Sequence, residues 1–175
     1  MDNRLFTVKT SMTKEDYHKF LYIATFRRSK IIIPFIVGFS ALISALLAYG
    51  DRWFNTTEFF IFWILFIFIA FAAVIFKVER RNKQRIKTDN TGIFGSQDTL
   101  DFYEDFLIVK NTAIEGQSKI RYNQLYQVLE SKDYFINYFN INQASLIRKK
   151  DMDHEAIERL RNLYQKEMGN KYRKI

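Results

Sequence analysis

This 175-residue chain is poor in Cys and His, two residue types that often act as nucleophiles, proton carriers or metal ligands. The chain has no Cys, which excludes disulfides, thiolate metal sites and cysteine nucleophiles. Its two His, His18 and His154, are remote in sequence and form no catalytic set with Ser and Asp. Gly92 and Gly95 are too few for a glycine-rich phosphate loop. We expect His18 to be a surface side chain rather than a metal ligand.

The densest group of carboxylates, Asp98, Asp101, Glu104 and Asp105, lies in one short segment. Its pattern predicts a strand, a turn and a strand, with Asp101 facing opposite to Phe102 and towards solvent. Paired catalytic carboxylates need a pocket that shifts one pKa, and the spacing is not that of a calcium-binding loop. The sequence therefore predicts no enzymatic activity, no metal and no cofactor.

Two long blocks without a charged residue dominate the first half of the chain. Residues 31–50 and 59–76 comprise 20 and 18 such positions, although 26% of the chain is charged. As helices they would measure about 30 and 27 Å, close to the thickness of a bilayer's hydrocarbon core. Neither has a polar stripe, so both are predicted to be transmembrane helices. Residues 1–30 are too long and too mixed in charge for a signal peptide, so we expect both helices to be retained.

The charges beside these blocks predict a topology. Residues 1–30 and 77–90 each carry a net charge of +4, whereas the extracytoplasmic loop 51–58 carries −1. The positive-inside rule places both termini in the cytoplasm, with Tyr49 and Trp53 in an outer aromatic belt. Because the charge of +8 flanks the membrane segments, the expected partner is anionic lipid and not nucleic acid. The predicted headgroup contacts are Arg27, Arg28, Lys30, Lys77, Arg80, Arg81, Lys83, Arg85 and Lys87.

Small side chains in the two blocks allow helix backbones to approach closely. We favour packing within one hairpin; the alternative is an oligomer around a pore lined by Ser40 and Ser44. Pro34 either lies in a first helical turn or kinks a longer helix at the membrane surface. The predicted packing residues are Gly38, Ala41, Ser44, Ala45, Ala70 and Ala73.

The predicted cytoplasmic segments have sequence patterns typical of both strands and helices. Residues 1–30 predict a short strand and then an amphipathic helix over 14–28, capped by Thr13. Whether this helix continues into the first transmembrane helix, and whether the strand joins the C-terminal sheet, stay open. Residues 77–91 predict a basic helix and a linker. Residues 92–175 predict an α+β domain, an antiparallel sheet with a C-terminal helix that begins after Asp153.

Three motifs in this domain carry a resemblance to a known family. They are Tyr122-Asn-Gln-Leu125, Asp133-Tyr134 and Ala144-Ser-Leu-Ile147, which precedes Arg148-Lys149. With the two predicted spans, they resemble the YcxB-like family of bacterial membrane proteins over most of the chain. The family commonly has Trp where Tyr122 stands and Pro where Arg148 stands. The pattern is also similar to pleckstrin-homology-like (PH-like) sheets.

The resemblance implies a bacterial plasma membrane and no catalytic residues. The expected function is a non-enzymatic, membrane-anchored interaction or regulatory module at the inner leaflet; the alternative is an oligomeric membrane scaffold or pore. Tyr122, Tyr134 and Tyr138 are the candidate partner surface to probe first, although packing in the sheet core is the role we favour for them. The basic run 148–150 is interpreted as a solvated loop, with lipid contact as the alternative.

Overall fold

The computed structural model describes residues 3–49 and 53–175. Asp51 and Arg52 of the predicted extracytoplasmic loop, and Gly50 at the end of the first uncharged block, lie outside the described residues. The chain divides into two compact units. The globular unit combines the residues up to Asp16 with Asp89–Ile175, and the helical unit is Tyr17–Thr88.

The first sheet of the globular unit consists of four antiparallel strands, in the order β1-β2-β3-β4. Phe6 pairs with Phe102, and Val8 pairs with Leu100, so apolar side chains of β1 and β2 share one face. The N-terminal strand therefore joins the C-terminal strands in one sheet, one of the two alternatives that the sequence left open. The strands are β1 (Phe6–Ser11), β2 (Gln97–Phe102), β3 (Phe106–Asn111) and β4 (Gln117–Arg121).

A second sheet corrects the prediction of a single antiparallel sheet. Its order is β7-β6-β5-β8, and β8 pairs with β5 in parallel. The chain turns from the first sheet to the second through a single 3₁₀ turn, Tyr122–Gln124. The short strand β8 has no alternating apolar pattern that would identify it in the sequence. The strands are β5 (Gln127–Glu130), β6 (Tyr134–Tyr138), β7 (Ala144–Arg148) and β8 (Tyr172–Lys174).

The helix α4 (His154–Met168) completes the core of the globular unit. Asp153 caps it as predicted, since its carboxylate accepts a hydrogen bond from the Ala156 N–H at 2.7 Å. The Tyr164 ring contacts Phe102 of β2 and Phe135 of β6, with ring centroids 6.2 and 6.0 Å apart. One apolar core thus includes side chains from both sheets and from α4. This is an α+β architecture, as the sequence predicts.

The N-terminal helix and the first uncharged block are separate helices. The helix α1 (Lys14–Tyr22) continues as a π-helical segment, Ile23–Arg28, and α2 (Ile32–Leu47) follows at a bend of 65°. Thr13 caps α1, because its hydroxyl accepts from the Asp16 N–H at 3.2 Å. Pro34 lies in the first turn of α2, where its missing N–H costs little.

The second uncharged block lies in one long helix, α3 (Thr56–Lys87). It is long and apolar enough to cross a membrane, whereas α2 reaches a comparable length only together with the bent segment before it. The contacts of α3 with α2 run antiparallel: Trp63 Nε1 donates to the Val37 carbonyl at 3.0 Å, and the Asn55 N–H donates to the Ala48 carbonyl at 3.0 Å. The helical continuation through Lys87 agrees with the prediction.

Candidate functional site

The outer surface of the helical unit is apolar. Among the described residues, 18 of the 22 large apolar side chains that are exposed lie between Ile31 and Phe76. On α3, Ile64 and Phe68 are 54% and 70% exposed and lie one helical turn apart. Soluble monomers rarely expose a continuous apolar surface of this kind, which typically marks contact with a membrane or another protein.

The buried face of α2 has residues at four-residue spacing, beginning with Ile36 and continuing with small side chains. Ser40, Ser44 and Ala48 are buried along it, and the Ser44 hydroxyl donates to the Ser40 carbonyl at 2.7 Å. Because both hydroxyls lie in the buried face, this arrangement gives no support to a pore lined by these serines. Of the other predicted packing residues, Ala41, Ala45 and Ala70 are half-buried, whereas Gly38 and Ala73 are exposed.

The predicted headgroup contacts lie around one end of the helical unit. Lys30, Lys77 and Lys87 are exposed. At the same end, Glu79 Oε1 lies 2.6 Å from His18 Nε2 and accepts a hydrogen bond from the Tyr22 hydroxyl at 2.8 Å. Of the remaining predicted contacts, Arg28 and Arg85 are half-buried, and the exposed ones are Arg27, Arg80, Arg81 and Lys83.

In the globular unit, Arg148 binds side chains that are distant in sequence. Its guanidinium donates to Asp16 at 3.1 Å, to Asp151 at 2.7 and 2.9 Å, and to Ser11 at 2.6 Å. Its backbone N–H donates to Thr10 Oγ1 at 3.1 Å, a bond that the proline common in the resembled family could not make. Burial opposes ionisation of Asp16, but hydrogen bonds from Thr13, Tyr134 and Arg148 outweigh it and lower the pKa of Asp16. Arg148 therefore ties β1 and the start of α1 to β7.

A second ionic cluster surrounds Glu130, which is fully buried at the end of β5. Its carboxylate accepts hydrogen bonds from Lys149 Nζ at 2.6 Å, from Arg161 Nη2 at 2.6 Å, and from the Tyr172 hydroxyl. Burial opposes ionisation, but these bonds lower the pKa of Glu130 to about 2. The cluster joins β5, β8 and α4.

The two ionic clusters correct the interpretation of residues 148–150 as a solvated loop, because Arg148 and Lys149 are engaged in internal ion pairs. Glu130 and Asp16 were not among the site residues predicted from the sequence. A single signal was available, a lone acidic residue directly after the apolar pair Val128-Leu129 in a short strand. A buried carboxylate needs cationic partners, but the sequence does not say which ones.

The three tyrosines predicted as a candidate partner surface are buried. Tyr122, Tyr134 and Tyr138 are 2%, 3% and 1% exposed. The Tyr122 hydroxyl donates to the Tyr103 carbonyl at 2.8 Å, and the Tyr134 hydroxyl donates to Asp16 at 2.8 Å. Their placement corresponds to the favoured role, packing in the interior, and offers no exposed ring to a partner.

Asp101 is buried, which makes the expectation of a solvent-facing side chain wrong. It does face opposite to Phe102, but Thr7 Oγ1 donates to it at 2.6 Å, and Arg4 and Lys110 lie 3.4 and 3.6 Å away. Burial raises the pKa of Asp98, although Asn111 donates to its carboxylate at 2.6 Å. In the part of the chain that the structure describes, no cluster of three or more His, Asp or Glu could hold a metal ion.

Two surface grooves border the β3–β4 hairpin, with volumes of about 570 and 430 Å³. The larger follows the loop over residues 110–117. The smaller has acidic Asp105 and Glu167 beside basic Lys119 and Arg121. This mixture of charges matches no single class of charged ligand, and we assign no binding site to either groove.

Comparison with known proteins confirms the family resemblance within the globular unit. Residues 102–163 match the family model described as YcxB-like protein. The matched segment runs from the end of β2 into α4 and includes Tyr122, Glu130 and Arg148. No curated protein and no solved structure matches the chain.

Proposed function

We propose that this chain is a non-enzymatic membrane protein that presents its globular unit at the inner leaflet of a bacterial plasma membrane. In this proposal α2 and α3 form a transmembrane hairpin. The observation that supports it most strongly is the apolar outer surface between Ile31 and Phe76. Water would be a poor solvent for that surface, whereas lipid chains match it.

The polarity of the helical unit supports an orientation with both termini in the cytoplasm. One end has Lys30, Lys77 and the basic residues after it, whereas the opposite end has Glu58 and the exposed aromatic rings of Tyr49 and Trp53. Lys and Arg are enriched on the cytoplasmic side of membrane proteins, and Trp and Tyr favour the interface.

The globular unit would act by recruitment. Anchoring raises the effective concentration of the module and of a membrane-associated protein or peptide partner. Two sheets with a C-terminal helix are also what a PH-like module would contain, and a module of this type could instead sense the membrane surface. The carboxylates of the buried ionic clusters are held in internal ion pairs, and we assign them a structural role.

The test is membrane fractionation of the full chain in a bacterial host. We expect the protein in the membrane pellet after alkaline carbonate washing, and in the soluble fraction only after detergent is added. A reporter that is active only outside the cytoplasm, fused after Ile175, should stay silent. Extraction by carbonate alone would contradict the anchoring, and an active reporter would contradict the orientation.

A further inference from the structure

Two basic segments that are far apart in sequence lie at the same end of the helical unit. Phe26, directly before Arg27, contacts Phe71 of α3 with ring centroids 6.4 Å apart. Phe26 is therefore adjacent to α3 at Phe71, and Lys30 follows it four residues later in the chain. Lys77 follows on α3 about 9 Å farther along the helix axis, at 1.5 Å per residue.

Four of the cations in these segments have no acidic partner among the described residues. Glu79 is the one acidic residue in the stretch 59–88, and its carboxylate is engaged by His18 and Tyr22. Lys30, Lys77, Arg80 and Arg81 form no ion pair in the described part of the chain.

The geometry of α3 places three of these cations on one exposed side. Lys77, Arg80 and Arg81 have i, i+3 and i+4 spacing, so their side chains are neighbours on the helix surface. Like charges at this spacing repel each other, and an external anion would relieve that repulsion. Charge complementarity therefore favours an anionic ligand at this position.

The depth of these cations favours a lipid headgroup as the anion. The apolar part of α3 ends at Phe76, and Arg80 and Arg81 lie about 6–8 Å beyond it at 1.5 Å per residue. The headgroup layer of a bilayer leaflet is about 5–8 Å thick. Lys83 and Lys87 lie about 10 and 16 Å beyond Phe76, outside this layer.

We propose that Lys77, Arg80 and Arg81 form a discrete binding site for the headgroup of an anionic phospholipid that carries two phosphates. This inference rests on the proposed membrane anchoring. Three cations exceed the charge of a single phosphate, so a headgroup with two phosphates matches the site better. Clusters of Lys and Arg at the cytoplasmic membrane surface attract anionic headgroups.

The test uses the full chain in neutral detergent, with bound lipid measured by native mass spectrometry. The probes are diphosphatidylglycerol with two phosphates, phosphatidylglycerol with one, zwitterionic phosphatidylcholine, and soluble glycerol phosphate. We expect one diphosphatidylglycerol to bind per chain, several-fold more tightly than phosphatidylglycerol. Phosphatidylcholine and glycerol phosphate should not be retained at the same concentration, since the first lacks net charge and the second lacks acyl chains.

Two double variants that lose the same charge at the same spacing distinguish a specific headgroup site from general electrostatic attraction to anionic lipid. Lys77→Gln/Arg81→Gln should weaken binding of diphosphatidylglycerol about 30-fold, whereas Lys83→Gln/Lys87→Gln should weaken it less than about threefold. Equal losses in both variants, or equal affinity for the two anionic lipids, would overturn the inference. Carbonate fractionation of the same variants tests the anchoring separately: a chain that stays in the membrane without lipid selectivity refutes only the headgroup site.

Discussion

Glu130 illustrates how a buried charge is maintained at the residue scale. The carboxylate is fully buried, yet Lys149, Arg161 and Tyr172 keep it ionised and lower its pKa from 4.5 to about 2. A buried ion pair costs desolvation energy, and removal of one partner leaves the others uncompensated. The cluster therefore makes the packing of β5, β8 and α4 sensitive to a single substitution.

Replacement of this carboxylate should destabilise the protein. We expect Glu130→Gln to lower the free energy of unfolding by about 3 kcal/mol, because two cations lose their buried partner. Urea unfolding followed by circular dichroism in detergent would measure the change. The matched control is Glu155→Gln on the exposed side of α4, where the pair with Arg159 should contribute less than about 1 kcal/mol.

The stability difference between wild type and Glu130→Gln should depend on pH. The pKa of Glu130 is lower in the folded than in the unfolded chain, so its contribution is complete above about pH 4.5 and declines as the pH falls towards 2. The stability difference between wild type and Glu130→Gln should therefore shrink over that range. A difference that stays constant down to pH 2 would show that Glu130 is not held ionised by its partners.

Arg148 has a similar role between distant parts of the chain, and its side chain is only 11% exposed. We expect Arg148→Met to leave Asp16 and Asp151 without their cation and to increase amide hydrogen exchange in β1. Arg159→Met, at a side chain that is 57% exposed, serves as the control and should leave β1 protected. Unchanged protection of β1 in the Arg148 variant would contradict the proposed tie.

At the scale of elements, α3 combines two environments in one continuous helix. Its apolar part up to Phe76 exposes large side chains, and its last turns, from Lys77 to Lys87, are basic. Asn55 caps the helix, because its side chain accepts from the N–H groups of Thr57 and Glu58 at 3.1 and 3.2 Å. The backbone thus stays helical where the side chains change from apolar to basic. The side chains determine that the first part favours lipid and the second part favours water.

Charge introduced into the apolar part of α3 should prevent stable insertion. We expect Ile64→Arg/Phe68→Arg to move much of the protein out of the carbonate-resistant pellet, since each arginine near the bilayer centre costs about 3 kcal/mol. The control is Ile114→Arg/Ile141→Arg, at exposed apolar residues of the globular unit, and it should fractionate as wild type does. Identical behaviour of both variants would argue that α3 is not in lipid.

For the whole molecule, the absence of Cys provides a direct test of orientation. Trp53→Cys introduces a thiol at a residue that is 84% exposed, and Lys132→Cys introduces one in the globular unit. A membrane-impermeant maleimide should label Trp53→Cys in intact cells, and Lys132→Cys only after the cells are permeabilised. The opposite pattern would reverse the proposed topology.

The sequence by itself determined the elements whose cause is local. The charge-free blocks, the caps at Thr13 and Asp153, the strands with alternating apolar residues and the linker after Lys87 all follow from neighbouring residues. The family motifs in residues 102–163 were recognisable for the same reason, because they are short and contiguous.

Only the tertiary structure decided which distant groups meet. Arg148 and Asp16 are 132 positions apart, and Tyr134 and Asp16 are 118 apart. Two sheets form instead of one, and β8 joins β5 in parallel although its own sequence shows no strand pattern. Such contacts form only when folding closes long loops and buries both partners together. Their contribution to stability therefore cannot be assigned from the neighbouring residues of either partner. For that reason Asp101, which the sequence predicted to face solvent, is buried.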